Sequence, residues 1–376
     1  MLFNTGNVRC WGQGSTGPLG YGNTNNIGDD ETPASAGDVN VGGTVVQLSV
    51  GDEHTCAVLD TGNVRCWGNG GNAELGYGNL NFIGDNETPA SAGNVNIGGT
   101  VTQISGGGNH TCALLNTGNV RCWGSGNDGQ LGYGNIFKIG DNETPASAGN
   151  VNVGGIVVQI SAGESHTCAL LNTGNVRCWG ANFALGYGNT NNIGDNETPA
   201  SAGNVNVGGT VTQISTGEQH TCALLNTGNV RCWGIGTVGQ LGYGNINNIG
   251  DNETPASAGD VNVGGTVTQL SVGDFHNCVL LDTGNVRCWG ANFSGELGYG
   301  NTNNVGVSET PASAGDINVG GIVVQISAGE SHTCALLNTG NIRCWGIGTA
   351  GRLGYGNQNN IGDNETPDSA GDVAVF

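Results

Sequence analysis

Seven tryptophans mark the chain at positions 11, 67, 123, 179, 233, 289 and 345, and the gaps between them are 56, 56, 56, 54, 56 and 56 residues. So regular a period means one supersecondary unit used seven times. It overrides the two or three ordinary domains that a length of 376 residues would suggest. A unit of this size cannot bury a core alone and must stack on its neighbours. The reading is therefore one repeat domain, residues 1–376, of seven units of about 56 residues.

Around most of the tryptophans runs a variant of HTCALLNTGNVRCWG, residues 110–124. The second copy, residues 54–68, reads as a β-hairpin: Thr, Cys, Val and Trp suit strands, and Asp60-Thr61-Gly62 is a turn signal. A three-residue loop places Gly62 at the left-handed bulge position. Leu59 then pairs with Asn63, Val58 with Val64, Ala57 with Arg65 and Cys56 with Cys66. Counted outward from the loop, the two cysteines fall at a non-hydrogen-bonded pair, where opposed Cα atoms lie ~4.5 Å apart. A disulfide accepts that distance. Six pairs share the spacing: Cys56–Cys66, Cys112–Cys122, Cys168–Cys178, Cys222–Cys232, Cys278–Cys288 and Cys334–Cys344, with Cys10 left over. Bridges imply an exported protein. Two other readings stay open: small apolar filler on a buried strand face, and zinc held by His54, Cys56 and Cys66, a set one ligand short of a structural site.

The remainder of each unit contains LGYGN (75–79), the polar connection IGDNETPASAG (83–93), and NVNIGGTVTQIS (94–105), which offers a short strand, a Gly-Gly turn and a stronger strand. About four short strands and no stretch of helical period make an all-β unit, the pattern of a propeller blade. Trp67, Leu75, Val101 and Ile104 are the expected core of the model unit. Arg65 and Trp67 share a strand face, so the Arg either stacks on the indole or lies over it on the surface.

Composition excludes several functions. Glycine, at 73 residues, follows no G-X-Y period. No apolar run reaches the ~18 residues of a membrane helix, so no membrane insertion is expected. Nine cations against thirty carboxylates, net −21, cannot form the basic face that nucleic acid requires.

Gly107-Gly-Asn-His-Thr-Cys-Ala-Leu, Gly118-Asn-Val-Arg-Cys-Trp-Gly and Gly129-Gln-Leu-Gly-Tyr-Gly together resemble the regulator-of-chromosome-condensation repeat, and the resemblance covers the whole chain. The near-identity of the units and the paired Cys are similar to those of its bacterial, Cys-paired branch. The resemblance implies a seven-bladed β-propeller. It leaves function open, because the family includes exchange factors for small GTPases, chromatin binders, ultraviolet sensors and a secreted β-lactamase inhibitor. This chain has no basic tail, no long inserted loop, and one Trp per unit rather than a Trp cluster.

The repeat is cut out of phase. Phe376 aligns with Gly264 and Met1 with Val279, so a segment equivalent to 265–278 is lacking. One blade is expected to be incomplete, split between residues 1–12 and 346–376, and the sequence reads as a fragment of a longer protein.

Catalysis finds little support. Ser, His and carboxylates recur with the repeat, whereas an active site is a single asymmetric cluster. The expectation is no catalytic residues, no cofactor and no metal site. The acidic loops, for example Asp85, Asn86 and Glu87, read as solvated, with calcium the weaker alternative. Function is sought instead where the units differ. Three windows vary: between Trp-Gly and Leu-Gly-Tyr-Gly, after GYGN, and before the His (Glu53, Asn109, Ser165, Gln219, Phe275, Ser331). Leu80, Phe82, Ile136, Phe137 and Lys138 stand out, because other units carry mainly Thr and Asn there. They are the candidate partner-binding residues, with neutral drift as the competing account. The expectation is a non-catalytic scaffold, extracellular or at the cell surface, that binds an as yet unidentified protein or surface glycan. A cytoplasmic GTPase regulator is the alternative.

Overall fold

The computed structural model describes all 376 residues. Their contacts group into two compact units. The first comprises Met1–Ile27, Ser35–Asn182 and Asn191–Asn204, and the second Gly28–Ala34, Phe183–Thr190 and Val205–Phe376. The first holds three antiparallel sheets: β1 (Val45–Val50), β2 (His54–Leu59) and β3 (Val64–Gly68); β4 (Val101–Gly106), β5 (His110–Leu115) and β6 (Val120–Gly124); β7 (Val157–Ala162), β8 (His166–Leu171) and β9 (Val176–Gly180). The second also holds three: β10 (Val211–Thr216), β11 (His220–Leu225) and β12 (Val230–Gly234); β13 (Val267–Val272), β14 (His276–Leu281) and β15 (Val286–Gly290); β16 (Val323–Ala328), β17 (His332–Leu337) and β18 (Ile342–Gly346).

The hairpin register is the one counted from the turn. Val58 faces Val64, Ala57 faces Arg65 and Cys56 faces Cys66. Leu59 N donates to Asn63 O at 2.8 Å, and Gly62 takes a φ of 78°, where a side chain would be strained. Trp67, Leu75, Val101 and Ile104 are all buried.

Two expectations are corrected. Six three-stranded sheets form, not seven blades of about four strands. The opening repeat supplies only isolated bridges, Leu2–Val8 and Gly12–Ile27, and no named strand. The stretch read as a fourth strand makes a single rung: Val95 N donates to Val64 O at 2.9 Å, then Ile97 N turns back to Val95 O at 3.0 Å, and Gly98 follows at φ 77°. The backbone leaves the ladder before a strand can extend. The polar connection, in turn, contains a helical turn, Pro89–Ala92, with Pro at its first position and Gly93 at φ 77° ending it. Tyr77 ties that connection to the hairpin, its hydroxyl lying 3.2 Å from both Cys66 O and Gly93 O.

Within each unit, neighbouring sheets are joined by a repeated set of bonds. The Gln47 amide clamps one residue of the next sheet: Nε2 donates to Ile104 O at 3.0 Å and Oε1 accepts Ile104 N at 2.8 Å. Ser49 Oγ accepts Gly106 N at 2.9 Å. The same clamp joins Gln103 to Ile160, Gln213 to Leu270 and Gln269 to Ile326. A Gln amide carries one donor and one acceptor at peptide spacing, so it substitutes for a missing strand at the sheet edge.

Candidate partner-binding surface

The recurring histidine is a buried linker. His54 Nε2 lies 2.8 Å from Thr111 Oγ1, and Thr111 Oγ1 donates its one proton to Glu74 O at 2.8 Å. His54 must therefore carry its proton on Nε2, leaving Nδ1 bare and without a partner. That nitrogen faces Gly51, where an added Cβ would sit 2.3 Å from His54 Cε1 and 2.7 Å from Nδ1. Only glycine fits. His110 repeats the arrangement with Thr167 at 2.8 Å and Gly107. In the second unit Asn277 replaces the Thr and keeps both roles: Oδ1 takes the His220 contact at 2.9 Å and Nδ2 donates to Gln240 O at 2.6 Å. Burial pushes His54 and His220 down to about 4 and His110 and His276 to about 3. A base this hard to protonate holds sheets together better than it moves protons.

All six cysteine pairs are bridged in this structure, with Cα–Cα distances of 4.1 Å, and Cys10 is free. Sulfurs in bridges are not thiolate ligands, which leaves the His54–Cys56–Cys66 set without zinc chemistry. Arg65 does not stack on Trp67. Its Nη1 donates to Val41 O and its Nε to Asn94 Oδ1 at 3.2 Å, while Trp67 Nε1 donates to Pro18 O at 2.9 Å. The cation–π contact present is Arg9 over Phe3, 5.2 Å from the ring centre. Asp29, Asp30 and Glu31 bring their oxygens within 4.8 Å of one another, a partly exposed acidic cluster on a connecting loop.

The variable windows of the first unit converge. Lys138 Nζ donates to Gly71 O at 3.3 Å. A Cβ at Gly71 would lie 3.9 Å from the Phe82 ring. Gly71 is thus flanked by Phe82 on one loop and Lys138 on the next. Asn72 Nδ2 donates to Asn109 Oδ1 and Asn69 Nδ2 to Glu53 Oε2, both at 2.7 Å, which brings in the window before the His. Leu80, Phe82, Ile136 and Phe137 are all exposed, Phe137 at 73%. Asn79 Oδ1 and Asn135 Oδ1 accept the backbone N–H two residues on, and these Asx turns hold the loops open. Beneath the surface, burial raises the Glu74 carboxyl above its usual range, and the Lys138 ammonium partly offsets this.

The second unit carries exposed aromatics that the sequence reading did not select. Phe293 is 67% exposed, and its loop adjoins Phe275, because Ala291 N donates to Phe275 O at 2.9 Å. Buried Asn292 builds this loop: its Nδ2 donates to Asn301 O and Asn303 O, and its Oδ1 accepts Leu297 N. The Ala-Asn-Phe string at 291–293 was the available signal, since Asn292 is buried beside exposed Phe293.

Residues 101–374 match the RCC1-like domain, and residues 45–74 match the regulator of chromosome condensation (RCC1) repeat. The ultraviolet-B receptor UVR8 of Arabidopsis thaliana is 30% identical over 362 residues, covering 94% of this chain and 76% of the receptor. The probable E3 ubiquitin-protein ligase HERC6 of Homo sapiens is 31% identical over 318 residues, 82% of this chain but only 29% of the ligase's length. Among solved structures, yeast RCC1 (Prp20) bound to Kap60 superposes with a TM-score of 0.74 at 20% identity, covering 96% of this chain and 83% of that one. Human WBSCR16 gives 0.73 at 22% identity, with 96% and 94% covered. These likenesses establish an all-β, RCC1-like propeller fold. With its tryptophan-marked units, hairpin register and matched span of residues 101–374, the chain belongs to the RCC1-like domain family.

Proposed function

We propose that the protein is a non-catalytic propeller scaffold that binds a protein or surface glycan outside the cytoplasm, through the surface formed by Leu80, Phe82, Ile136, Phe137 and Lys138. The observation that carries this reading is the meeting of two variable loops at Gly71, which presents apolar side chains and the chain's one lysine together. The six bridges support an oxidising location. Seven units in one domain, with the closing blade split between residues 1–12 and 346–376, belong to the same reading. The double variant Phe82→Asn with Phe137→Asn should keep its unfolding midpoint and lose binding to cell surfaces or to an isolated protein partner. Unchanged binding would refute the surface.

The second reading is a small-GTPase regulator. It is favoured by the likeness to Prp20, a protein whose binding to Gsp1p and histones has been studied. Accelerated nucleotide release from a member of a GTPase panel would move this reading into first place.

A further inference from the structure

Five of the seven repeats close the loop after Trp-Gly with one shared bond, and the two that build the Gly71 surface omit it. Asn26, Asn192, Asn248, Asn304 and Asn360 each turn Oδ1 to a backbone N–H, that of Gly14, Asn182, Gly236, Asn292 and Gly348 respectively, at 3.0–3.2 Å. The equivalent residues in the second and third repeats are Phe82 and Lys138. Neither carries a side-chain acceptor. Gly70 N and Gly126 N, both in buried residues, find no other acceptor in the chain. A buried N–H without an acceptor costs stability. The same loop bears a second cost. Ala73 sits at φ 68°, whereas the equivalent Gly17, Gly129, Gly239, Gly295 and Gly351 are all glycines at positive φ. A Cβ is strained there. Asn at 82 and 138 and Gly at 73 would each relieve a cost, so these departures are held by something other than the fold.

What the two repeats gain is exposed chemistry. Leu80, Phe82, Ile136 and Phe137 are exposed, and the Phe82 ring lies beside the bare, exposed backbone of Gly71. Lys138 Nζ has three donors, spends one on Gly71 O at 3.3 Å, and pairs with no carboxylate in a chain that has thirty. The side-chain amides nearby are engaged within the loops. Asn69 bonds Glu53 and Gly71 N, Asn72 bonds Asn109, Asn79 bonds Tyr77 O and Asn81 N, and Asn135 bonds Tyr133 O and Phe137 N. A sugar needs such planar polar groups to satisfy its hydroxyls. The groups left over are apolar surfaces, two of them the branched aliphatics Leu80 and Ile136, around one unpaired ammonium.

We propose that the Gly71 surface takes a protein segment in which apolar side chains flank an Asp or Glu, the carboxylate meeting Lys138 and the apolar side chains meeting Phe82 and Phe137. The inference rests on the surface proposed above and names its occupant. A net charge of −21 disfavours an anionic group over the chain at large, so the one lysine decides where the carboxylate lands. Gly71, with no side chain, lets the segment approach closely.

Short random peptides displayed on phage and selected on the immobilised full chain test the assignment. Enriched peptides should carry apolar residues beside an Asp or Glu. Changing that acid to Asn or Gln should weaken binding by about tenfold or more, the worth of one charge-assisted bond. Lys138→Asn should abolish the acidic preference, and Lys138→Glu should reverse it to Lys or Arg. Lys138→Asn also supplies the acceptor that Gly126 N lacks, so it should unfold at or above the wild-type midpoint, which separates lost binding from lost fold. Binders that need Phe82 and Phe137 but ignore both Lys138 substitutions overturn the acidic-segment assignment and leave the surface reading intact. A selection that yields no peptide dependent on Phe82 and Phe137 also overturns it. Anionic glycans on an array, bound by the wild type and not by the Phe82→Asn, Phe137→Asn double variant, would then keep the surface and assign it to a glycan.

Discussion

Lowering the pH from 7 to 5 should cost this protein much of its stability, through five histidines that cannot accept a proton while folded. The ordinary value of 6.5 falls to about 4 for His54, His220 and His332 and to about 3 for His110 and His276. The cause is geometric: the rings are desolvated, Nε2 of His54, His110, His220 and His276 is committed to a Thr or Asn, bare Nδ1 in His54, His110, His220 and His332 has no partner, and the Arg352 charge also disfavours protonated His332. A folded-state value below the unfolded one means stability that is complete above pH 6.5 and lost as pH falls toward the folded value. At pH 5 the unfolded chain is almost fully protonated at these sites and the folded chain almost not at all. Each histidine then costs about 2 kcal/mol, or about 10 for the five if additive. That is comparable to the ~5–15 kcal/mol by which domains are stable. Four acids oppose the trend. Burial raises the Glu31, Glu74, Glu197 and Glu296 carboxyls, so the folded state binds those protons early and recovers part of the loss. Denaturant midpoints at pH 7 and 5 check the direction, and calorimetry in buffers of different ionisation enthalpy counts protons. Unfolding at pH 5 should take up nearly five protons at these histidines, less what the four acids release. A midpoint unchanged at pH 5, with net uptake below about one proton, would refute the linker account.

Thr111→Val should destabilise by about 1–3 kcal/mol, because the His54 Nε2–H loses its buried acceptor, and a shifted denaturant midpoint would register it. Gly107→Ala should cost about 1–3 kcal/mol or more, since its Cβ would lie 2.2 Å from Gly163 O and 2.5 Å from His110 Cε1; a thermal midpoint equal to wild type would show that the backbone yields freely. Alkylation of unreduced, denatured protein should label Cys10 alone, and reduction should expose all 13 cysteines by intact mass. Replacing Cys56 and Cys66 together by Ser should lower stability by about 2–3 kcal/mol, the chain-entropy value for so short a loop, as read by urea unfolding.

The hairpin was legible because two local signals agree. Asp-Thr-Gly fixes the turn, and outward counting then has one solution that pairs Cys with Cys. The buried faces of Trp67, Leu75, Val101 and Ile104 followed from alternation and repetition. The fourth strand was misread because Val95 and Ile97 alternate like a strand, while the bond from Ile97 N back to Val95 O closes the backbone into a turn. Gln47 and Ser49 were passed over as polar positions on a strand, since one sequence cannot reveal that a side-chain amide will meet a backbone amide 57 residues away. The surface at Gly71 was half-visible. Loop variability named Phe82 and Lys138, but that both approach the same glycine depends on how neighbouring sheets stack.

The Gln–Ser–His clamp also bears on how the chain finds its fold. Each of the six sheets offers the same Gln, Ser and His donors and nearly the same receiver, with Asn277 replacing Thr once, so the clamp alone does little to tell the correct neighbour from any other sheet. Order must come from tethering: the unit one connection away is present at far higher effective concentration than the rest. Such a chain is liable to kinetic traps in which a unit docks out of sequence and must detach before the stack can complete. The variable loops add a few neighbour-specific bonds, Asn72 to Asn109 and Lys138 to Gly71, but the shared clamp leaves connection length as the main device that sets the order of assembly.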